Sequence, residues 1–312
     1  MSVTTAATRG QAQPRVAVLP GPAPAEITAA LRSAGAVRTP PEQAEALVWM
    51  GEDPARLAEA LRAHPSPRWV QLASAGVDGY LPMTRDGRTW TRACDVYGRP
   101  VAEHALLLVM ACLRDAMAST RAASWRPGPA VALAGLPVVI VGGGSVGTAL
   151  VRLLAVCRAR VTVVRRGAGA VPGASVVTGD RLDDVLPRAR VVVLAAPLTD
   201  ATRGLIDARR LRAMREDACL VNVGRGPLVV TADLVRALAE GWIASAGLDV
   251  TDPEPLPDGH PLWRLPNCLI TAHSAGDVAG TTGPFGELVA DNTLRWADGR
   301  PLRGLIRPDL GY

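Results

Sequence analysis

Residues 138–147 read Val-Val-Ile-Val-Gly-Gly-Gly-Ser-Val-Gly, and this stretch decides how the rest of the chain is organised. Its four apolar residues predict a short buried strand, and the Ala-, Leu- and Val-rich stretch up to Cys157 predicts a helix. Between them, Gly142, Gly144 and Gly147 have the spacing G-x-G-x-x-G, which allows a tight turn and a close approach to a pyrophosphate. The helix N-terminus adds N–H groups and a partial positive charge. Together these features predict a dinucleotide site.

Short apolar strands alternate with helical segments on both sides of this unit. Further strands of the same sheet are predicted at residues 160–165, 175–177, 191–195, 219–223, 244–248 and 268–271. A smaller alternation of the same kind occupies residues 15–73. The sequence therefore predicts an α/β protein with two Rossmann-like or flavodoxin-like, doubly wound parallel-sheet domains and a cleft between them.

The composition excludes several classes of function. The chain has 312 residues, a formal net charge of +5 and scattered arginines without any lysine, so no nucleic-acid surface is predicted. No apolar run reaches the ~18 residues of a membrane span. Residues 1–14 are predicted to be a disordered tail without a secretion signal. The five cysteines form no C-x-x-C pair, so we predict buried free thiols, no metal site and a cytoplasmic location.

The residues at the end of the second predicted strand of the larger sheet bear on cofactor choice. NAD-binding folds place an acidic residue there, which receives the ribose 2′-hydroxyl. This chain has Arg165 and Arg166 instead, and a guanidinium binds a 2′-phosphate through two hydrogen bonds. We therefore predict NADPH as the preferred cofactor, with NADH as the alternative if the two arginines are only solvated surface residues.

Three chemically active side chains each follow one of the last three predicted strands. They are Arg225, Glu254 and His273. Because the carboxyl ends of parallel strands lie at one edge of the sheet, we expect the three to converge there. An arginine can bind a 2-keto carboxylate and a histidine can protonate the carbonyl oxygen, while a neighbouring glutamate favours the protonated imidazole.

From Gln71 to Tyr312 the order and spacing of these motifs resemble the D-isomer-specific 2-hydroxyacid dehydrogenases, the family of the glyoxylate/hydroxypyruvate reductases. The resemblance implies NAD(P)-dependent reduction of a small 2-keto acid to the D-2-hydroxy acid. It also implies that Arg225 binds the substrate, that His273 is the acid/base residue in contact with it, and that Glu254 is the partner of His273.

The resemblance implies further binding residues. Ala75 and Gly76 match the loop whose backbone N–H groups hold the substrate carboxylate, and Asp249 matches the residue that holds the nicotinamide carboxamide. Besides the glycines and the two arginines, the implied cofactor-binding residues are Ser145, Val146, Ala196, Pro197, Val223, Gly224, Asp249 and Ala275.

The same resemblance implies a domain arrangement. Residues 1–99 and 281–312 would form a discontinuous substrate-binding domain, and residues 100–280 would form the dinucleotide-binding domain, through which a homodimer assembles. His104 looks like part of the hinge helix between the two domains and is expected to be structural. Arg114 is either an interface or a structural residue.

Few positions depart from the family pattern. Ala272 stands where a proline usually precedes the histidine, so we expect a less fixed backbone there. Two alternative functions stay open. The same three side chains could serve the oxidation of another small oxyanion such as phosphite, and a nucleotide-sensing corepressor would also keep the dinucleotide-binding core.

Overall fold

The computed structural model describes residues 13–125, 127–167, 169–276 and 280–312. Residues 1–12 of the predicted tail therefore lie outside the described chain. The protein divides into two compact units. The smaller consists of the chain up to Val96 together with Gly280–Pro308, and the larger of Tyr97–Ala279 together with Asp309–Tyr312. Among the described residues, no helix has both the length and the apolar character that crossing a bilayer requires.

The smaller unit is built on a parallel sheet with the strand order β2-β1-β3-β4-β5 in the described residues. Its strands are β1 (Arg15–Leu19), β2 (Val37–Arg38), β3 (Ala46–Trp49), β4 (Trp69–Leu72) and β5 (Thr89–Thr91). Its helices are α1 (Ala25–Ser33), α2 (Pro54–Ala63) and α10 (Thr282–Ala297). Every residue of β3 and β4 is buried, as expected for strands covered on both faces.

A buried polar network attaches α10 to this sheet. The Oε1 atom of Gln71 in β4 accepts hydrogen bonds from Asn292 Nδ2 and from Thr91 Oγ1, each at 2.8 Å. Trp69 Nε1 donates to Thr91 Oγ1 at 2.8 Å, so β4, β5 and α10 share one set of partners. Because Gln71 and Asn292 are fully buried, leaving any one of these groups unpaired would be costly.

The larger unit contains a parallel sheet with the order β12-β11-β10-β9-β6-β7-β8 in the described residues. Its strands are β6 (Pro137–Val141), β7 (Arg160–Arg165), β8 (Ser175–Thr178), β9 (Val191–Leu194), β10 (Cys219–Asn222), β11 (Ser245–Leu248) and β12 (Cys268–Ile270). Its helices are α3 (Gly98–Leu113), α4 (Ala116–Arg121), α5 (Ser145–Val156), α6 (Leu182–Val185), α7 (Ala208–Ala213), α8 (Thr231–Ala239) and α9 (Pro261–Arg264).

Both faces of this sheet are covered. Successive residues of β6 point to opposite faces, so Val139 packs into the core with α6, α7 and α8, while Ile140 packs into the core with α3 and α5. The strand order reverses between β6 and β9, and open α/β sheets bind ligands outside the carboxyl ends of their strands at such a switch point. The predicted parallel-sheet α/β class is confirmed for both units.

Some elements differ from the sequence prediction. The helical pattern that runs from 101 to 119 is interrupted, because Asp115 adopts a left-handed backbone with φ 50° between α3 and α4. Arg114 is the C-cap of α3 and donates its backbone N–H to Met110 O at 3.0 Å. The short edge strands β2 and β5 of the smaller unit were not predicted from the sequence.

Candidate active site

The glycine turn after β6 is shaped by contacts that exclude side chains. If another residue replaced Gly142, which has φ 119°, its Cβ atom would lie 2.4 Å from Ala195 O. A Cβ atom at position 147 would lie 1.9 Å from Gly142 O, so both positions exclude a side chain. A Cβ on Gly144 would meet nothing within 4 Å. Thus Gly142 and Gly147 allow the turn and the packing of α5, whereas Gly144 opens onto free space.

The N-terminus of α5 opens onto that same space. Gly144 is the N-cap of this helix of 12 residues, and no side chain caps it. Ser145 and Val146 form the first turn, and both are half-buried. Ala196 and Pro197 follow β9, directly beside the turn. An open helix N-terminus over a glycine turn fits the pyrophosphate of a dinucleotide, so the residues present suit this cofactor.

The two predicted arginines lie at the end of β7, the neighbour of β6. Arg165 is the last residue of the strand, and its Nη1 donates to Gly169 O at 3.2 Å. Its side chain covers the glycine turn, since a Cβ on Gly143 would lie 3.1 Å from Arg165 Cδ. Arg166 is exposed, and its Cζ lies 4.6 Å from the centre of the Tyr312 ring. Both arginines therefore lie at the carboxyl end of β7, the strand next to the one that leads into the glycine turn.

Arg225 follows β10 in a turn that Asn222 holds. The buried Asn222 accepts from Gly224 N at its Oδ1 atom (3.1 Å), and its Nδ2 donates to Arg225 O (2.8 Å). A Cβ on Gly224 would lie 2.9 Å from Ala196 O, so Gly224 packs against the loop after β9. Val223, just before it, is buried. This contact puts the residues leading to Arg225 next to Ala196, a predicted cofactor-binding residue.

The loops after β10 and β11 touch through a second glycine. A Cβ on Gly226 would lie 1.8 Å from Thr251 O, so no other residue fits there without a backbone shift. Thr251 N donates to Glu254 Oε2 at 3.3 Å. The loop that carries Arg225 is thus in direct contact with the loop that carries Glu254.

Glu254 and His273 form a close pair across the loops after β11 and β12. Glu254 Oε1 lies 2.5 Å from His273 Nδ1, and the side chains are 39% and 50% exposed. When Nδ1 carries the proton that this hydrogen bond needs, Nε2 is the ring atom that can exchange a proton with a bound molecule. The arrangement therefore provides an oriented imidazole with a carboxylate partner.

Asp249 holds the loop that carries His273. Its Oδ1 accepts from Ser274 N (3.0 Å) and from Thr271 Oγ1 (2.6 Å), and its Oδ2 accepts from Ala275 N (3.1 Å). The Asp249 side chain is buried. A carboxylate with three such donors fixes the backbone on both sides of His273. That Asp249 also binds the carboxamide, and that Ala275 contacts the cofactor, stay predictions.

Two supporting residues, Asn222 and Thr271, were not identified as such from the sequence. Asn222 shapes the Arg225 turn, and Thr271 bridges Asp249 to His104, whose Nε2 lies 2.9 Å from Thr271 Oγ1. The structural role expected for His104 agrees with this contact. The available signal was the position of Asn222 and Thr271 at strand ends beside Arg225 and His273, where polar side chains can bond groups of the following loops.

The predicted carboxylate loop lies in the smaller unit. Ala75 and Gly76 follow β4, at the carboxyl end of its sheet, and both are half-buried. Ser74 Oγ donates to Gly76 O at 3.0 Å, and Ala93 N donates to Ser74 O at 2.9 Å, so the loop has a defined shape. Its role in binding a carboxylate stays a prediction.

Comparison with known proteins gives a consistent result. A family model described as the NAD-binding domain of D-isomer specific 2-hydroxyacid dehydrogenases matches residues 104–275. The glyoxylate reductase of Pyrococcus furiosus is 34% identical over 274 residues, which are 81% of this chain and 78% of that protein. The glyoxylate reductase of Thermofilum pendens is 31% identical over 269 residues, 81% of this chain and 78% of that protein.

Two crystal structures are similar over nearly the whole chain. A D-isomer specific 2-hydroxyacid dehydrogenase from Xanthobacter autotrophicus, in complex with NADPH and MES, has a TM-score of 0.84 and 29% identity and covers 96% of this chain and 100% of its own. An NADPH-dependent glyoxylate/hydroxypyruvate reductase from Sinorhizobium meliloti, in complex with NADP and sulfate, has a TM-score of 0.82 and 26% identity with the same coverage.

Proposed function

Because this chain belongs to the D-isomer-specific 2-hydroxyacid dehydrogenase family, we propose that it reduces a small 2-keto acid, with glyoxylate or hydroxypyruvate favoured, to the D-2-hydroxy acid. The observation that carries the proposal is the Glu254–His273 pair, 2.5 Å between Oε1 and Nδ1, at the same sheet edge as Arg225. Hydride transfer to a carbonyl requires a proton donor and a cationic anchor, and these residues supply both.

Each of the three side chains has a distinct task. A bound reduced nicotinamide would supply the hydride for the carbonyl carbon. His273 Nε2 holds the proton that the carbonyl oxygen takes up. Glu254 keeps the imidazole oriented through Nδ1 and stabilises its positive charge before transfer. Arg225 binds the carboxylate with its planar guanidinium, which fixes the keto acid in one orientation. The backbone N–H groups of Ala75 and Gly76 are proposed as further carboxylate donors.

NADPH is the proposed cofactor. Arg165 and Arg166 at the end of β7 provide the charge that a 2′-phosphate needs, and an acidic side chain in their place would repel it. The crystal structures described above, which contain NADPH or NADP, support the same choice. NADH stays the alternative, and comparing kcat/KM for the two cofactors decides between them.

A homodimer through the larger unit is proposed as the assembly. Within the described part of this unit, large apolar side chains are unusually exposed: Leu107 is 57% exposed, Val156 84% and Trp125 98%. Burial of these side chains against a second copy would remove apolar area from water, which is favourable. Light scattering after size exclusion tests this. The free cysteines support the proposed cytoplasmic location.

The decisive experiment is a panel of 2-keto acids with NADPH, followed by the loss of its absorbance. Glyoxylate and hydroxypyruvate are expected to be reduced, and bulkier keto acids more slowly. The panel includes phosphite with NADP⁺, and purified His273→Asn protein serves as the control for contaminating reductases. If no keto acid is reduced but phosphite is oxidised, the substrate assignment is wrong. If neither reacts although the dinucleotide binds, a sensing role replaces the enzymatic one.

A further inference from the structure

The segment Asp309–Tyr312 belongs to the larger unit, whereas the preceding residues, Gly280–Pro308, belong to the smaller one. A Cβ on Gly311 would lie 3.0 Å from Thr199 Cγ2, so the segment packs against the turn after β9. Tyr312, the next residue, packs against Arg166 after β7. Since β6 lies between β9 and β7 in the sheet, the segment connects the two loops that flank the glycine turn.

The contact between Arg166 and Tyr312 is a cation–π interaction. The Arg166 Cζ atom lies 4.6 Å from the ring centre, inside the range of about 6 Å over which such pairs attract. A guanidinium over an aromatic ring is bound through its face, which leaves the N–H groups at its edge pointing outward for an anion. The half-buried Tyr312 thus supports an exposed arginine without consuming its hydrogen-bonding edge.

The neighbouring arginine is held in a different way. Arg165 Nη1 donates to Gly169 O at 3.2 Å, and its aliphatic part covers Gly143. Backbone contacts therefore orient Arg165, whereas a side chain from the far end of the sequence orients Arg166. An arginine without support loses rotamer freedom when it binds a phosphate, and that loss reduces affinity.

We infer that Tyr312 is a positioning residue that sets the preference for the 2′-phosphorylated dinucleotide, by holding Arg166 where the 2′-phosphate binds. The inference rests on the proposed NADPH preference and deepens it. Tyr312 acts through Arg166 alone, so its effect is confined to ligands that carry the 2′-phosphate.

Binding without turnover tests this directly. Calorimetric titrations with adenosine 2′,5′-bisphosphate and with adenosine 5′-monophosphate are compared, because the difference between the two affinities gives the contribution of the 2′-phosphate to binding. We expect Tyr312→Ala to weaken bisphosphate binding about two- to fivefold, as for an exposed cation–π pair, and to leave monophosphate binding unchanged. Tyr312→Phe keeps the ring and should bind like the parent protein. In an Arg166→Ala background, Tyr312→Ala should have no further effect.

Arg188→Ala is the matched control for Arg166→Ala, because it also removes one positive charge from an exposed arginine. Arg188 is exposed and lies before β9, at the amino edge of the same sheet, so its loss should not change either titration. Melting temperatures of all variants show whether the fold is intact.

Three results would overturn the inference. In the first, Tyr312→Phe protein binds the bisphosphate as weakly as Tyr312→Ala protein does. In the second, Tyr312→Ala lowers the affinity for the bisphosphate and for the monophosphate by the same factor. In the third, the losses of bisphosphate affinity caused by Tyr312→Ala and Arg166→Ala add up in the double variant. If the unsubstituted protein binds the bisphosphate no more tightly than the monophosphate, both this inference and the proposed NADPH preference are wrong. A protein that shows the expected titrations but reduces no keto acid would refute the proposed reaction and leave this inference standing.

Discussion

The backbone N–H of His273 donates a hydrogen bond to the carbonyl oxygen of Asp249 at 2.8 Å, and His273 holds a left-handed conformation with φ 50°. For a residue other than glycine this conformation costs about 1–2 kcal/mol. The Asp249 carboxylate offsets the cost by accepting from the next two backbone N–H groups. The direction of the His273 imidazole therefore depends on a buried residue that directly follows the adjacent strand β11, and not on the proline that Ala272 replaces.

Asp249→Asn tests this dependence. The amide removes the charge and offers a donor where Ala275 N needs an acceptor, and a charged hydrogen bond contributes about 1.5–3 kcal/mol. We expect kcat to fall about 10- to 100-fold, with the Kd for NADPH nearly unchanged. If Kd rises in parallel, the predicted carboxamide contact is the main role of Asp249. Asp252→Asn, which changes an exposed acid three residues later in the same loop, should leave both quantities as they are.

His273→Asn is the informative change at the proton donor. Asparagine tolerates a left-handed backbone, whereas alanine at φ 50° would add strain to the loss of the imidazole. Turnover should fall about 10²- to 10⁴-fold, with little loss of NADPH affinity. His260→Asn is the control, because His260 caps α9 through Nδ1 and asparagine is also a good cap. Unchanged turnover in His273→Asn would remove this residue from the mechanism.

Arg225→Ala should act on the keto acid and not on the dinucleotide. Loss of a charged hydrogen bond of about 1.5–3 kcal/mol predicts a 10- to 100-fold lower kcat/KM for glyoxylate. Arg225→Lys keeps the charge and loses the planar pair of donors, so we expect an intermediate value. Fluorescence titration with NADPH should give the same Kd for all three proteins. An unchanged KM for glyoxylate would assign Arg225 another role.

Much of this architecture follows from local sequence, and the comparisons confirm the family that the motifs indicated. Strands such as β6 and β9 are continuous apolar runs and were predicted within a residue or two. The edge strand β2 has two residues, both exposed, so it has no apolar pattern to detect. The contact of Tyr312 with Arg166 joins residues far apart in sequence, and no local pattern indicates it.

The glycine turn offers a matched pair of substitutions. Gly147→Ala puts a methyl group 1.9 Å from Gly142 O, so we expect a destabilisation of about 1–3 kcal/mol and a clear drop in melting temperature. Gly144→Ala meets nothing within 4 Å and should keep the melting temperature, but its methyl group enters the space that fits a pyrophosphate. NADPH should therefore bind more weakly to the folded Gly144→Ala protein. Equal melting temperatures for both variants would contradict the geometry.

The cysteines differ in reactivity. Burial raises the pKa of the Cys268 thiol from about 9 to about 12, and the pKa of Cys219 is also raised, by its hydrogen bond with Cys112 and by burial. Since only the thiolate reacts, alkylation at pH 8 should leave Cys268 unmodified in the native protein, because about one thiol in ten thousand is ionised there. Mass spectrometry before and after unfolding in guanidinium measures this. Rapid native labelling of Cys268 would contradict its burial.

The packing of α10 against α1, and the bond from Asn292 to Gln71, have a consequence for biosynthesis. In the smaller unit, β1 to β5 are synthesised before the larger unit, and they lack α10 until residues 282–297 have been made. Most of the larger unit comes from one continuous stretch, Tyr97–Ala279, so its seven-stranded sheet can form in the meantime, and only Asp309–Tyr312 joins it later. We therefore expect nascent chains that stop before Thr282 to expose apolar surface of the smaller unit and to be held by chaperones, and we expect synthesis of α10 to release them.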